Sequence, residues 1–592
     1  MEITPKILLQ NADLYGAESA LSVRDQEGNW HQTNWSDLYA EIMDISKALF
    51  ACGVGINDKV SIYSYNRKEW YAGYLAAQTI GGVAVGVYHT CSSQEVEWIV
   101  GNSDSKVVFV GDNPMDNGEK EKMPNHRILK ILDNLPQVET VVMMSGIEVL
   151  NHEKMISWED FIGRGKDISV NTVTAILDKL TLDHTACLIY TSGTTGNPKG
   201  VELTYKNWSF EIRVSNEIFK FNQGERYVSW LPLAHVFGQL IDVNYWVQNG
   251  LHLYICDSPL KVVDYAKEVQ PHLFIGVPRI YEKIYSNLKS AIDGKAILKY
   301  GLKIPGLSTL LKGKLKEAIG FTDARFLISG AAPINTDILH LFQSLDIPLF
   351  EGYGMTENAA AATANHGNAN KIGTVGQAIP ETEIKIAKDG EILMRGDHVM
   401  KGYYKNPEAT NETIIDGWLY TGDVGEIDDE GFLKITGRKK EIYVTSGGKN
   451  IAPLIIEETM KSISLLSQCF LVGDGRKYCS ALFTLDVSAI LRDKLGVDAN
   501  AIPKDPEGQI LMLNEKGHTL SDFTENEDIY SEIQAQVDVL NTRFSNPEQV
   551  KKFSILSRDL TIDDGELTPT LKIRRKQIRD NWDSVIESMY TE

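Results

Sequence analysis

The stretch that decides the fold is Tyr190-Thr191-Ser192-Gly193-Thr194-Thr195-Gly196-Asn197-Pro198-Lys199-Gly200. The apolar residues 185–190 before it predict a buried strand. Its glycines allow a tight turn that exposes backbone N–H groups, and its hydroxyl side chains and Lys199 add further donors. It is not a Walker loop, because Pro198 stands where that loop needs a glycine. The stretch therefore predicts a loop that holds an anion, with a polar hairpin turn as the alternative.

Segments typical of strands and helices alternate on both sides of this loop. Residues 35–50 have the apolar spacing of a helix, and residues 59–64, 106–110, 227–231, 251–255, 324–330 and 347–350 read as strands. The longest apolar stretch, 71–88, is interrupted by glycines, so we interpret it as a buried helix, a turn and a buried strand rather than a membrane span. This alternation predicts open parallel sheets covered by helices.

The pattern changes towards the C-terminus. Residues 373–435 contain short strands separated by glycine turns, which predict a small β-barrel. A polar break at 437–441 precedes a last α/β segment of about 150 residues. Residues 295–321 are rich in lysine and glycine and read as a flexible helical insertion, and residues 499–527 read as an exposed insertion.

Charge and cysteine content exclude several classes of function. A net charge of −21 argues against nucleic acid, whose phosphates need a basic footprint. The six cysteines form no C-x-x-C pair, which favours buried reduced thiols in a cytoplasmic protein over disulfides or zinc. No signal peptide is evident at the N-terminus, and any contact with a membrane would be peripheral.

Several further motifs follow the loop in order. They are 231–238 (Leu-Pro-Leu-Ala-His-Val-Phe-Gly), 329–333 (Ser-Gly-Ala-Ala-Pro), 352–357 (Gly-Tyr-Gly-Met-Thr-Glu), 420–423 (Tyr-Thr-Gly-Asp), 437–440 (Gly-Arg-Lys-Lys) and 567–572 (Leu-Thr-Pro-Thr-Leu-Lys). Together with the loop, they resemble the signatures of the adenylate-forming superfamily of acyl-CoA synthetases, luciferases and adenylation domains. The Thr-Pro-Thr-x-Lys form and residues 446–453 look most like long-chain fatty acyl-CoA synthetases of the bubblegum type.

The resemblance implies an α/β multidomain fold. Residues 1–436 would form a large N-terminal domain, with two α/β open-sheet subdomains and the small β-barrel, that binds ATP and the acyl group. Residues 437–440 would be a hinge, with Lys440 at the hinge position. Residues 441–592 would form a smaller, mobile α+β domain that carries the catalytic Lys572.

The resemblance also implies a set of site residues. The expected ATP- and AMP-binding residues are Thr191, Ser192, Gly193, Thr194, Thr195, Gly196, Lys199, Gly330, Ala331, Ala332, Glu351, Gly352, Tyr353, Gly354, Met355, Thr356, Asp423, Arg438 and Lys572. The expected catalytic residues are Lys572, His235, Thr194 and Glu357, and Thr194 and Glu357 would bind Mg²⁺. His235 would line the acyl channel, and Ser446, Gly447 and Gly448 would line a channel for CoA. The motif around Lys572 departs from the common family form, which has a glycine at the position that Leu571 occupies here.

The implied reaction is the activation of a fatty acid by ATP to acyl-AMP, with release of pyrophosphate, followed by transfer of the acyl group to CoA. Fatty acid, ATP and CoA would be the partners. One alternative is a fatty acyl-AMP ligase that loads a carrier protein and shares every ATP residue. Another is a catalytically silent module that binds acyl groups or nucleotides, against which the intact set of Lys199, Glu357, Asp423 and Lys572 speaks.

Overall fold

The structure is a computed structural model that describes residues 2–114, 116, 118–191, 197–446, 449–499, 501–562, 564–568 and 572–591. The predicted Ser192, Gly193, Thr194, Thr195, Gly196, Gly447 and Gly448 lie outside the described residues. All six cysteines are free and buried, as predicted. Within the described parts of the chain, no helix has the length and apolar character needed to cross a membrane.

Two large sheets build the part of the chain before residue 405. The first has the strand order Gly402–Tyr403, Lys199–Thr204, Thr185–Thr191, Val83–Val87, Lys59–Tyr63, Ser105–Val110, Thr140–Met143 and Met155–Ile156. From Thr185–Thr191 onwards the strands run parallel, and the two pairings before it are antiparallel. The central loop therefore joins two antiparallel strands at the edge of the parallel region.

The second sheet has the order Gln377–Ala378, Thr363–Ala364, Leu349–Tyr353, Phe326–Ser329, Leu273–Gly276, Arg226–Ser229, His252–Ile255, Ser19–Arg24 and Trp30–Asn34. Its middle strands, from Leu349–Tyr353 to Ser19–Arg24, are parallel. Ligands of open parallel sheets bind beyond the carboxyl ends of the strands. The predicted site residues at 330–332 and 351–357 follow or end two neighbouring strands at that edge.

Helices cover both sheets. They are Thr4–Leu14, Trp35–Ala51, Lys68–Thr79, Ser93–Ser103, Pro124–Leu129, Trp158–Arg164, Val170–Leu177, Tyr205–Phe219, Val262–Val269, Pro278–Gly294, Ala296–Gly301, Leu307–Ile319 and Thr336–Ser344. Lys68–Thr79 is followed by Gly81, which has a φ of 74°, and by the buried strand Val83–Val87. The predicted helix, turn and strand at 71–88 are thus confirmed.

The predicted β-barrel is wrong. Its strands form an antiparallel sheet in the order Glu383–Ile386, Glu391–Arg395, Trp418–Ile427 and Ile414–Ile415, with Leu433–Arg438 also paired to Trp418–Ile427. Among the described strands, none joins the two edges, so the sheet is open. Closure requires a matching stagger of the edge strands, which a pattern of short strands and glycine turns does not specify.

The last part of the chain has its own sheet. Leu466–Val472 and Cys479–Leu485 are antiparallel, and Val550–Ile555 runs parallel to Cys479–Leu485. The helices Pro453–Met460, Pro506–Glu515, Ser521–Thr524, Glu527–Asn541 and Arg575–Ser588 accompany them. Leu513 and Phe523 are buried in this core, so the predicted insertion at 499–527 is packed rather than wholly exposed.

The apolar cores divide along the chain near residue 440. Among the described residues, the clusters that contain Leu433 or earlier residues contain none from 443 onwards, and those that contain Tyr443 or later residues contain none before it. The short helix Lys439–Glu441 lies in this interval.

Candidate active site

The loop is anchored by its flanking strands. Thr191 ends one strand and Lys199 begins the next, and the two residues are paired directly. Trp98 donates its indole N–H to the carbonyl oxygen of Pro198 at 2.9 Å. These contacts fix Thr191, Pro198 and Lys199, which flank the residues outside the described parts of the chain.

Tyr403 connects the loop to Glu357. The amino group of Lys199 lies 4.8 Å from the centre of the Tyr403 ring, and the Tyr403 hydroxyl donates to Glu357 Oε1 at 2.8 Å. Tyr403 belongs to a short strand that pairs with the strand after the loop, and the neighbouring Met400 N–H donates to the Glu357 carbonyl oxygen at 2.8 Å. Sequence reasoning missed Tyr403, because no motif contains it.

The segment 351–357 ends the strand Leu349–Tyr353 and continues into a short helix. A Cβ atom on Gly354 would collide with the backbone oxygen of Ala360, so a side chain has no room there. Met355 N–H donates to the Asn358 side chain at 2.6 Å. Thr356 and Glu357 follow in the short helix Thr356–Asn358, and both are buried.

The neighbouring strand ends in Gly330-Ala331-Ala332. A Cβ atom on Gly330 would lie 3.2 Å from the Phe237 ring, so this glycine permits close approach of the His235 segment. Ala331 has a φ of 67°, a backbone conformation that costs energy for a residue with a side chain. Glu351 is buried on the adjacent strand, and burial raises its pKa to about 8, so its carboxyl group is largely neutral at pH 7.

Asp423 and Arg438 are paired on two neighbouring antiparallel strands. Arg438 Nε lies 3.1 Å from Asp423 Oδ1, and the Tyr353 hydroxyl donates to Asp423 Oδ2 at 2.6 Å. Burial and the Asp423 carboxylate raise the pKa of Tyr353 well above its usual value, so its hydroxyl remains a donor. Burial opposes the charge of Arg438, but Asp423 and Glu441 raise its pKa overall.

Lys572 lies near enough to Arg438, Asp423 and Glu357 for their charges to act on its pKa, although it belongs to the other side of the core boundary. The backbone N–H of Lys572 donates to the Thr568 hydroxyl at 3.0 Å, which orders the backbone at the lysine. Lys572 keeps solvent-accessible surface, yet the surrounding protein lowers its pKa, and the charge of Arg438 adds to this effect. The negative charges of Asp423 and Glu357 oppose the shift. A lysine, an arginine and two carboxylates are thus within range of one another's charges.

His235 lies near Lys572. Burial, with a further contribution from the Lys572 charge, lowers the pKa of His235 to about 3. Its Nδ1 accepts the Phe237 N–H at 3.2 Å, so the proton of the neutral ring lies on Nε2. A neutral ring suits a lining position beside an apolar channel better than a charged one.

Among the described residues, no hydrogen bond or ion pair joins Ser446 or Lys440 to this cluster. Ser446 is exposed in the turn between the strands Tyr443–Val444 and Asn450–Ile451, where its N–H donates to the Arg476 carbonyl oxygen at 3.0 Å. Lys440 is exposed. Lys439 beside it pairs with Asp389 at 2.6 Å and Glu391 at 2.8 Å.

Comparisons with known proteins agree on the family. The family described as AMP-binding enzyme matches residues 9–404. The chain is 31% identical to the long-chain-fatty-acid–CoA ligase FadD15 of Mycobacterium bovis, over 95% of this chain and 93% of that protein. It is 30% identical to the long-chain-fatty-acid–CoA ligase ACSBG2 of Xenopus laevis, over 99% of this chain and 83% of that protein.

Solved structures share the fold. The adenylation domain of a carboxylate reductase from Mycobacterium chelonae has a TM-score of 0.76 at 18% identity, over 100% of this chain and 91% of that one. The o-succinylbenzoate CoA synthetase of Bacillus subtilis, in complex with ATP and magnesium ion, has a TM-score of 0.66 at 21% identity, over 97% and 99%. The predicted superfamily is confirmed: this chain belongs to the AMP-binding enzyme family.

Proposed function

We propose that the protein is an AMP-forming long-chain fatty acid–CoA ligase. It would join a fatty acid to the α-phosphate of ATP, release pyrophosphate, and transfer the acyl group from acyl-AMP to CoA. The observation that carries the proposal is the pairing of Arg438 with Asp423 at 3.1 Å, together with Lys572 placed where the charges of both act on it. The two similar relatives are both named long-chain-fatty-acid–CoA ligases and support the substrate class.

The nucleotide would bind between the loop and the Asp423 strand. Asp423 offers two acceptor oxygens for the ribose hydroxyls, and Tyr353, held by its bond to Asp423, offers a flat face for adenine. Thr191 and Lys199 at the ends of the loop would hold the outer phosphates with the residues between them. Because Glu351 is largely neutral, its side chain would not repel the negatively charged phosphates.

Glu357 fits the role of a Mg²⁺ ligand. Mg²⁺ usually binds one or two carboxylates together with substrate phosphates and water, rather than a cage of protein ligands. The Tyr403 hydroxyl orients one Glu357 oxygen, and among the described residues no second hydrogen bond engages the carboxylate. The described residues likewise contain no cluster of three or more His, Cys, Asp or Glu placed to hold a metal. Bound Mg²⁺ would neutralise phosphate charge.

Lys572 would act in the first step. Bringing a carboxylate to a phosphate joins two anions, so a positioned cation lowers the barrier. Arg438 would stabilise the charge on the phosphate from the other side. We expect Lys572→Ala to slow acyl-AMP formation by about 10²–10³-fold, as loss of one preorganised charge contact does. Transfer from prepared acyl-AMP to CoA should remain nearly intact.

The second step would use another face of the C-terminal domain. Ser446 and the two glycines after it would line the path of the CoA thiol, and the domain would rotate about 437–440. Fixing φ at the hinge with Lys440→Pro should spare adenylation and suppress transfer. Measuring the half-reactions separately tests both assignments, and equal loss of both steps in both variants would contradict them.

One assay tests the function as a whole. With palmitate, ATP and Mg²⁺, the protein should release AMP and pyrophosphate, and CoA should be consumed. AMP release without any use of CoA would favour an acyl-AMP ligase for a carrier protein, and no turnover would favour a silent binding module. Palmitate should have a higher kcat/KM than acetate, because each buried methylene contributes about 0.8 kcal/mol.

A further inference from the structure

A helical hairpin lies in the connection between two neighbouring strands of the second sheet, Leu273–Gly276 and Phe326–Ser329, and it holds none of the proposed site residues. This segment, residues 295–319, is called the lysine hairpin below. It contains the helices Ala296–Gly301 and Leu307–Ile319. A Cβ atom on Gly301 would lie 2.7 Å from Leu311 and 3.1 Å from Leu307, so the two helices pack closely at this glycine.

One face of the lysine hairpin holds it to the protein. Leu311, Leu315 and Ile319 are spaced four residues apart and are buried. Leu298 and Leu302 are half-buried and pack against the main core. These contacts account for the folding of the hairpin, so its remaining apolar side chains need another explanation.

The opposite face exposes large apolar side chains. Ile297 is 64% exposed, Tyr300 63%, Ile304 51% and Leu310 58%. Ile297 and Tyr300 are three residues apart on one helix and therefore neighbours on its surface. Clustered apolar exposure of this kind marks interaction sites, whereas single exposed apolar residues are ordinary.

Lysines surround these apolar side chains. Residues 295–316 contain six lysines and no aspartate or glutamate, in a chain with a net charge of −21. Lys312 pairs with Asp346 at 2.9 Å. Lys295, Lys299, Lys303 and Lys314 are exposed, and the described residues provide no ion pair for them.

We propose that the lysine hairpin docks the protein on membranes that contain anionic lipids. Ile297, Tyr300, Ile304 and Leu310 enter the boundary between headgroups and acyl chains, and the unpaired lysines contact the headgroup phosphates. The charge of the hairpin selects this occupant, because an anionic surface repels the acidic protein as a whole but attracts a segment with six lysines and one acidic residue. Docking goes beyond the proposed ligase activity. The benefit of docking would be access to fatty acids dissolved in the membrane, and only this benefit rests on the proposed ligase activity.

Sedimentation with lipid vesicles tests the proposal. The full-length protein is mixed with vesicles of phosphatidylcholine alone or of phosphatidylcholine and phosphatidylglycerol in about equal parts. Binding should require the anionic lipid and should weaken as salt shortens the Debye length from about 10 Å at 0.1 M to about 3 Å at 1 M. Each lysine near such a surface changes partitioning by about fivefold, so Lys299→Gln with Lys303→Gln should weaken binding by about 25-fold. Ile297→Ser with Tyr300→Ser should weaken it by at least about tenfold.

Matched variants elsewhere on the surface serve as controls. Lys166→Gln with Lys179→Gln removes two exposed lysines, and Leu14→Ser with Val539→Ser removes two exposed apolar side chains, all outside the hairpin. Both controls should bind like the wild type. Absence of wild-type binding to anionic vesicles overturns the proposal, and so does equal binding by hairpin and control variants. A dimer that forms through the hairpin without vesicle binding would assign the surface to a second copy and overturn it too. Release of AMP by the wild type, measured without vesicles, judges the ligase function separately.

Discussion

Tyr403 provides a sharp test of the site, because its hydroxyl group and its ring make separate contacts. The hydroxyl donates to Glu357 at 2.8 Å, and the ring lies 4.8 Å from the Lys199 amino group. Tyr403→Phe removes the first contact and keeps the second. Tyr404→Phe is a matched control, because the Tyr404 hydroxyl donates to Asp104 at 3.2 Å instead.

The size of the effect follows from the hydrogen bond. A hydrogen bond to a charged group contributes about 1.5–3 kcal/mol net, and bonds that orient a metal ligand change metal affinity by about 10- to 100-fold. Tyr403→Phe should therefore raise the Mg²⁺ concentration for half-maximal pyrophosphate release by about 10- to 100-fold. Tyr404→Phe should change it by no more than about twofold, as surface substitutions do.

The assay titrates Mg²⁺ at saturating ATP and fatty acid, with the melting temperature of each variant measured to establish folding. Saturating Mg²⁺ should restore most of the activity of Tyr403→Phe, because the variant weakens binding of the ion rather than the chemistry that follows. Equal Mg²⁺ half-saturation for the two variants would refute the assignment of Glu357 as the metal ligand oriented by Tyr403.

Three further predictions follow from charges and contacts. Burial raises the pKa of Glu351 to about 8, so the KM for ATP should rise severalfold above about pH 8 in the wild type but not in Glu351→Gln; parallel pH profiles would contradict this. Burial also raises the pKa of Asp242 to about 8, so the folded protein binds an extra proton between about pH 4 and 8 and loses stability as pH rises through that range. The melting temperature should accordingly fall more for the wild type than for Asp242→Asn, and an equal fall would show that Asp242 is charged. Arg574 pairs with Glu95 across the core boundary at 3.2 Å. Arg574→Ala should slow acyl-AMP formation by up to about fivefold, whereas the control Lys576→Ala should not. A loss of about 10²-fold would mean that Arg574 itself contacts substrate.

Sequence patterns predicted many of the helices and strands, because these elements depend on residues that are close together in sequence. The stretch 71–88 carries its own glycine turn, and the structure has a helix, a glycine with positive φ and a strand there. The small barrel failed for the opposite reason. Its strands were visible, but whether Glu383–Ile386 meets the far edge depends on the stagger of residues far apart in sequence.

The motifs singled out residues that the structure brings together, but they did not indicate the contacts that support those residues. Asp423 and Arg438 stand out in their motifs, and the structure pairs them across two strands. Tyr403 lies in no motif, and its proposed role depends on its hydrogen bond to Glu357, which is 46 residues away. A lone tyrosine in a short strand reads as packing, so only the fold reveals that its hydroxyl orients a carboxylate.

Ion pairs join the residues before the core boundary to those after it, and they bear on the rotation that we predict about 437–440. They include Arg279 with Asp486 at 3.2 Å, Arg574 with Glu95 at 3.2 Å and Arg543 with Asp337 at 3.9 Å. Their side chains keep between 22% and 53% of their surface exposed, so each pair contributes about 0.2–1 kcal/mol. The described apolar clusters do not cross the boundary, whereas further polar contacts do, namely Lys504 with Asp264 and Arg492 with Ser286. The loss of these three pairs costs about 0.6–3 kcal/mol in sum, which one or two charge-assisted hydrogen bonds to a ligand can offset. In the proposed mechanism, binding of the first substrates would favour the arrangement with Lys572 near Arg438 and Asp423. Conversion of these substrates to acyl-AMP would remove that preference. This is the energetic condition that the predicted rotation about 437–440 requires.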